Sequence, residues 1–324
     1  MTRATDITVV IPVYNRAHTL PRTLRSIDRQ TISPARIILV DNGSIDSSLS
    51  IAREWAATRP DVTVLSEPRR GACAARNRGL AEVNTAWTMF FDSDDEMLPR
   101  HIADFHEATR HYPTSDIIGR DALHVDVSGH TRRLYFCPSQ GNPLFHHLFR
   151  GSLATQRYMA RTELFRRAGG WNESLKGWDD FELGTRMLLQ SPRVLRLMGE
   201  PTVTIHWQAE SLTGIDFSSR PEVWEAALET IRHDIIATPT LNDTTRQRYL
   251  RWADGVAAIL AARYAREGNN EAQPAEYRSN AYMRSRDLLE RTLHATDRPA
   301  IIRLIFHHNR LFGRLTWPLA KLLL

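Results

Sequence analysis

Residues 7–11, Ile-Thr-Val-Val-Ile, make an unbroken β-branched run that ends at Pro12. Such a run reads as a strand buried on both faces, a demand met by a parallel sheet with helices on each side. The chain that follows keeps to this plan. Leu20, Leu24 and Ile27 fall at helical spacing, with Pro21 in the first turn, where proline is tolerated. Residues 36–40 form a second strand, stopped by Asp41-Asn42-Gly43-Ser44, and Ile51, Ala52 and Trp55 mark a second helix. Residues 62–65 read as a third strand, 72–83 as a helix and 87–91 as a fourth strand. This βαβαβαβ alternation predicts an α/β fold: a Rossmann-like, mostly parallel sheet with flanking helices. Ligands of such sheets sit beyond the carboxyl ends of the strands, so the segments after Val10, Val40 and Phe91 carry the interest.

From about Ser115 the alternation stops. Residues 122–126 and 134–136, around Ser128-Gly129, read as a hairpin, 162–168 and 179–190 as helices, and 202–207 as a strand. Beyond Pro221 the chain reads as all-helical, with Trp224, Leu228 and Ile231, then Trp252, Val256 and Ile259, at helical spacing. The expected division is a first domain over residues 1–220 and a helical carboxyl-terminal region over residues 221–324.

Phe90-Phe91-Asp92-Ser93-Asp94-Asp95 delivers three carboxylates at the end of an apolar strand. Carboxylates so placed repel one another unless a cation or hydrogen-bond donors compensate them. Oxygen ligands of this kind suit Mg²⁺ or Mn²⁺. The plainer reading is an acidic turn in which Asp95 caps the next helix. Asp41 can accept a hydrogen bond from a nucleobase or ribose, although Asn42-Gly43 is also ordinary turn chemistry. The small residues from Gly71 to Ala75 open a helix and permit close approach of a phosphate or base, with Arg76 able to pair with phosphate oxygens. Asp179, Asp180 and Glu182 are favourable at a helix start because of the helix dipole, or one of them is a general base. His206, between Ile205 and Trp207, reads as a hydrogen-bonded structural residue or as a ligand.

Composition removes several classes of function. Apolar residues make up 42% and charged residues 24%, as in folded globular chains. The formal net charge is +5, carried almost entirely by Arg, with Lys176 and Lys321 the two lysines. The arginines are spread along the chain rather than clustered among aromatics, which argues against nucleic acid as a partner. Cys73 and Cys137 form no C-x-x-C motif, which suggests a reducing compartment and no structural zinc. With no signal-peptide pattern and no run of 18 uncharged apolar residues, a cytoplasmic protein is expected. Pro12-Val13-Tyr14-Asn15-Arg16 stands where a dinucleotide dehydrogenase has G-x-G-x-x-G, and no P-loop motif occurs.

Six segments in one order raise the value of these weak signals. They are residues 9–15, Val40 to Asp46, Gly71 to Gly79, Phe91 to Asp95, Gly169-Gly170-Trp171-Asn172-Glu173, and Trp178 to Leu183. In this order the chain resembles the inverting family-2 glycosyltransferases, whose catalytic domain has the GT-A fold, over about residues 7–213. The resemblance implies transfer of a sugar from a nucleotide-sugar, expected to be a UDP-sugar, to a hydroxyl acceptor with inversion and with Mn²⁺ or Mg²⁺. It implies that Pro12, Tyr14 and Asn15 line the nucleotide pocket, that Asp41 holds the base and that Arg76 approaches the nucleotide. Asp92-Ser93-Asp94 matches the D-x-D motif, with Asp92 toward the ribose and Asp94 on the metal. Asp180 matches the catalytic base, and His206 falls where many members keep a metal-binding or diphosphate-binding His. Two departures stand out: Asp179 replaces the usual Glu, so Asp179 and Asp180 compete as the base, and Asn42 stands where Asp is common. The resemblance further implies a glycan or lipid-linked acceptor, in cell-surface polysaccharide or glycoconjugate synthesis. The rival is a nucleotide-sugar-binding module without turnover, which would lack the D-x-D motif or the late acid pair; both are present.

The last stretch carries its own signal. Residues 297–324 hold Arg298, Arg303, Arg310, Arg314 and Lys321 against Asp297 alone, so 5 − 1 gives +4 of the chain's +5. Ile301, Ile302, Ile305, Phe306, Leu311, Phe312, Leu315 and Trp317 are interleaved with them. That mixture reads as an interfacial helix in peripheral contact with a membrane, or as helices that pack in a core or a dimer interface, which leaves oligomerisation open.

Overall fold

The run from Ile7 becomes β1 (Ile7–Val13), with Val9 and Val10 both at 0% exposure. Neighbouring side chains on a strand face opposite sides, so both faces of the sheet are covered here. The structure, a computed structural model, describes residues 5–138, 140–207, 216–313 and 316–324 of the chain. Residues 208–215, where the resemblance ends, and Arg314 and Leu315 lie outside the described residues. The chain divides into two compact units: Met1–Pro143 with Ser152–Gln208, and Leu144–Gly151 with Ala209–Leu324.

In the first unit β1 is followed by α1 (Leu20–Asp28), β2 (Arg36–Asp41), α2 (Ser48–Ala56), β3 (Val62–Ser66), α3 (Ala72–Ala81) and β4 (Trp87–Phe90). Next come β5 (Glu96–Met97), α4 (His101–His111), β6 (Ile117–Gly119), β7 (Ala122–Val125) and β8 (Thr131–Leu134). After α5 (Pro143–Arg150) come β9 (Tyr158–Arg161), α6 (Thr162–Arg167), α7 (Asp179–Leu189), β10 (Val194–Arg196) and β11 (Val203–His206). The main sheet has seven strands in the order β10-β6-β9-β4-β1-β2-β3. It is parallel except at β9, which runs antiparallel to β4 and β6. Val10 pairs with Phe90 and Val13 with Asp41, so β4, β1 and β2 end side by side. A four-stranded sheet, β5-β11-β7-β8, lies in the same unit.

Helix α3 lies against β1 and β2 because residue 79 is glycine. A Cβ there would sit 2.3 Å from Val10 Cγ1 and 3.3 Å from Val40 Cγ2, the first closer than carbon atoms approach.

The hairpin differs from its expected register. Its return strand is β8, with Ala122 opposite Leu134, rather than residues 134–136. The Asp126 carboxylate accepts from the backbone N–H groups of Ser128 and His130 at 2.9 and 3.0 Å, and this tight turn reverses the chain by residue 131. Phe136 then leaves the sheet and donates its N–H to Asp121 at 2.9 Å.

The second unit contains α8 (Pro221–Ala237), α9 (Asp243–Gly268), α10 (Ala275–Ala295), α11 (Pro299–Phe312) and α12 (Thr316–Leu323). Asn242 caps α9 by accepting the Thr245 N–H at 2.9 Å. Phe145 of α5, in the Leu144–Gly151 segment that belongs to this unit, meets Trp252 edge-on at 5.1 Å. Helix α11 buries Ile302, Ile305, Phe306 and Asn309 on one face. Among the described residues, no helix is long and apolar enough to cross a membrane.

Candidate active site

Asp92, Asp94 and Asp95 follow directly on β4, and their oxygens converge to within 4.8 Å of one another. Asp95 is buried and the other two are half-buried. Burial, and then the neighbouring carboxylates, hold the Asp94 carboxyl above its usual range and that of Asp95 well above. The fold supplies compensating donors. The Gln156 amide nitrogen reaches Asp92 Oδ2 at 2.6 Å and Asp95 Oδ2 at 2.5 Å. The backbone N–H of His206 donates to Asp95 Oδ1 at 2.9 Å, and Arg16 Nε lies 3.4 Å from Asp94 Oδ2. Ser93 is buried and its carbonyl accepts from Thr19 at 3.2 Å, which ties the loop to α1. A convergent set of carboxylate oxygens fits a hard divalent cation such as Mg²⁺ or Mn²⁺.

The ends of β1 and β2 bring four more of the expected residues together. Pro12 pairs with Val40, next to the pair Val13–Asp41. Asp41 is buried and accepts the N–H groups of Gly43, at 3.1 Å, and of Ser44. Asn15 adopts a left-handed conformation at φ 50°, which Asn tolerates better than most residues, donates its N–H to Ser44 Oγ at 3.1 Å and accepts from Ile45 N–H at 2.9 Å. Tyr14 is exposed, with the Arg70 guanidinium 4.9 Å from its ring centre. Asn42 is turned inward instead: its amide donates to the carbonyls of Glu67 (2.9 Å) and Arg69 (2.7 Å) and accepts from Gly71 N–H (2.8 Å). It anchors the approach to α3.

Arg76 rises from α3 into the space between two acids. Its guanidinium donates to Asp92 at 2.9 Å and to Asp179 at 2.8 Å, and lies 4.3 Å from the Trp171 ring centre. The Cys73 thiol also meets Asp179, at 3.3 Å. Trp178, left-handed at φ 53°, turns the chain into α7, whose first turn carries Asp179 and Asp180. Burial, and then the neighbouring Asp179, push the Asp180 carboxyl up to about 7, against the pull of Arg76 and Arg157. His206 sits at the end of β11 with its Nε2 2.7 Å from Glu96, and its ring nitrogens are not among the atoms that converge at the three acids.

Gln156, Arg16, Asn42 and Arg157 escaped the sequence reading. In the sequence Asn42 reads as turn chemistry and as a departure from the family pattern, not as an anchor, and Arg16 as one arginine among many. Gln156 and Arg157 lie in the turn Thr155–Arg157, which β9 brings to the site by antiparallel pairing with β4. No spacing in the sequence announces that pairing.

The comparisons with known proteins follow the same lines. Residues 8–168 match the profile described as Glycosyl transferase family 2. The chain is 34% identical over 99 residues to the uncharacterized glycosyltransferase YibD of Escherichia coli, covering 31% of this chain and 29% of that protein. It is 23% identical to an uncharacterized glycosyltransferase of Haemophilus influenzae over 76% of this chain and 77% of that one. The chain thus spans under a third of the length of YibD but most of the second relative. Among solved structures, S. aureus TarS 1–349 in complex with UDP-GlcNAc superposes with a TM-score of 0.68 at 16% identity, covering 98% of this chain and 91% of that one. The mannosyltransferase PcManGT of Pyrobaculum calidifontis, in complex with GDP-Man and Mn²⁺, gives 0.55 at 19% identity, covering 99% and 87%. The fold, the strand-end acids and the matching profile agree: the chain belongs to glycosyltransferase family 2.

Proposed function

We propose that the protein transfers a sugar from a nucleotide-sugar, a UDP-sugar by preference, to a hydroxyl group of a glycan or lipid-linked acceptor with inversion at the anomeric carbon. The observation that carries this reading is the division of labour between Asp179 and Asp180. Asp179 is held by Arg76, whereas Asp180 has its carboxyl raised to about 7. A carboxylate with that affinity for protons can take one from an acceptor hydroxyl near neutral pH. Asp180 is therefore the base, and Asp179 its electrostatic neighbour. Tyr14, Asn15, Pro12 and Asp41 form the nucleotide end of the site, and Arg76 with Asp92 and Ser93 stands between that end and the base.

A divalent cation at Asp94, when bound, supplies positive charge that offsets the charge developing on a departing diphosphate. Asp92 and Asp95 flank it. With its Nε2 on Glu96, His206 would offer its other ring nitrogen, Nδ1, to such an ion, the usual arrangement of a carboxylate-supported histidine ligand. The test is a panel of nucleotide-sugars, each incubated with Mn²⁺, with Mg²⁺ and with chelator. Metal-dependent release of sugar from one donor supports the reading. Tight UDP binding with no release from any donor, with or without acceptors, leaves a binding module instead.

A separate observation supports peripheral contact with the cytoplasmic face of a membrane. The core-facing side of α11 is already filled, yet the opposite side exposes Arg303, His307 and Arg310 along one edge and Leu304 and Leu311 along the other. Leu311 is 75%, Phe312 60% and Leu322 81% exposed, more than packing within the unit requires. From Arg298 onward the sequence has no acidic side chain. Exposed apolar residues beside the exposed Arg303 and Arg310 suit an anionic bilayer surface, which attracts each basic residue by about 1 kcal/mol.

A further inference from the structure

Gln156 contributes no charge, yet it touches two of the three carboxylates. It is buried in the turn before β9, and its amide nitrogen lies 2.6 Å from Asp92 Oδ2 and 2.5 Å from Asp95 Oδ2. An amide nitrogen has two hydrogens, one for each acid. The reverse orientation would set the amide oxygen against two carboxylate oxygens, so the hydrogen-bond network itself decides which end faces the acids. With this bond made, the oxygens of Asp95 are divided between Gln156 and the His206 N–H, and those of Asp92 between Gln156 and Arg76. Asp94 is tied less firmly: Arg16 approaches its Oδ2 at 3.4 Å, its own backbone N–H and the charge of Arg22 add a pull, and no other side chain bonds to its carboxylate among the described residues.

We infer that Gln156 is a positioning residue that ranks the three acids for the cation. By tying down one oxygen each of Asp92 and Asp95, it leaves Asp94 the most available ligand and keeps the cluster's hold on the metal moderate. A neutral donor suits this task. A lysine or arginine in its place would compete with the metal, and an acid would add to the repulsion. The inference rests on the metal-assisted reading above, and goes beyond it in assigning the grading of the ligands to a residue that does not bind the metal.

The test uses the full chain, Mn²⁺ alone, and the variants Gln156→Glu and Gln156→Met. Free Mn²⁺ is followed by its electron paramagnetic resonance signal, and melting temperature is read with and without the ion. Gln156→Glu, equal in shape, should bind Mn²⁺ roughly tenfold tighter or more, since a fourth carboxylate adds attraction at close range. Its metal-free form should melt lower than wild type, and Mn²⁺ should raise its melting temperature by more. Gln156→Met should show the same trend more weakly, and in both variants kcat should fall while the donor KM holds. Unchanged or weaker Mn²⁺ binding in both variants overturns the inference, as does a loss of fold that Mn²⁺ does not repair. Failure of the wild type to bind Mn²⁺ would instead remove the metal-assisted reading on which the inference stands.

Discussion

Asp92 and Asp179 share one guanidinium: Arg76 reaches the first at 2.9 Å and the second at 2.8 Å. The two acids come from the end of β4 and the start of α7, and are 87 residues apart in the sequence. Removing a mostly buried cation strands two partners at once. Arg76→Leu should lower stability by about 3–5 kcal/mol, the usual result of breaking a buried pair from one side. Urea denaturation measures it, and a loss below ~1 kcal/mol would show that solvent already screens the pair.

Replacing each member of the acid pair should separate their roles. Asp180→Asn keeps the shape and removes the proton acceptor, so turnover should fall by ~10²- to 10⁴-fold with donor affinity nearly unchanged. Asp179→Asn should mainly loosen Arg76. Should the larger catalytic loss follow Asp179→Asn, the roles are reversed.

The raised Asp180 carboxyl sets a pH dependence. Its protonated form cannot accept a proton, so the rate should climb as pH rises through about 7 and level off above it. The stability effect has the opposite sign. A carboxyl whose folded value is raised binds its proton more tightly when folded, so the protein loses stability as pH climbs from the ordinary carboxyl range to about 7. Asp180→Asn should thus melt above wild type at pH 8, with the difference closing toward pH 5, in a calorimetric series.

Asp94→Ala should abolish most of the difference in UDP affinity between Mn²⁺ and chelator, as read by titration calorimetry, while the melting curve stays cooperative. Equal affinity in the two buffers for the wild type would remove Asp94 from any metal role.

Vesicle sedimentation checks the membrane proposal. Anionic vesicles should pull down the chain at low salt and release it at high salt, and neutral vesicles should bind it weakly. The pair Arg303→Glu with Arg310→Glu should suppress binding without unfolding the helices, since both residues are exposed. Binding that survives the charge reversal counts against the surface described for α11.

Much of this architecture was readable in advance for a simple physical reason. A doubly buried strand needs a continuous apolar run, so β1, β2 and β4 showed themselves, and with them the turns that hold Asp41 and Asp92. Strands β6, β9 and β10, of three or four residues, lie beyond the regular alternation and lack the apolar run that carries β4 on to Phe91, so they display no period. Gln156 and Arg157 were hidden with β9. Asp179 and Asp180 are not distinguishable in the sequence for a different reason: adjacent identical side chains differ only through their surroundings, here a direct ion pair with Arg76 on Asp179 and a raised carboxyl on Asp180. The hairpin slipped because Tyr135 and Phe136 look like strand residues, while the turn at Asp126 had already fixed the register.

The glycine at position 79 has a reach beyond its own packing. The hydrogen it bears in place of a carbon lets α3 settle low on the sheet, against Val10 and Val40. Arg76 stands one turn earlier on the same helix. A methyl group at 79 would act as a shim, lifting the helix and withdrawing the guanidinium from both acids at once. The electrical balance of the site is thus calibrated by a residue that has no functional group and lies a full helical turn away from it.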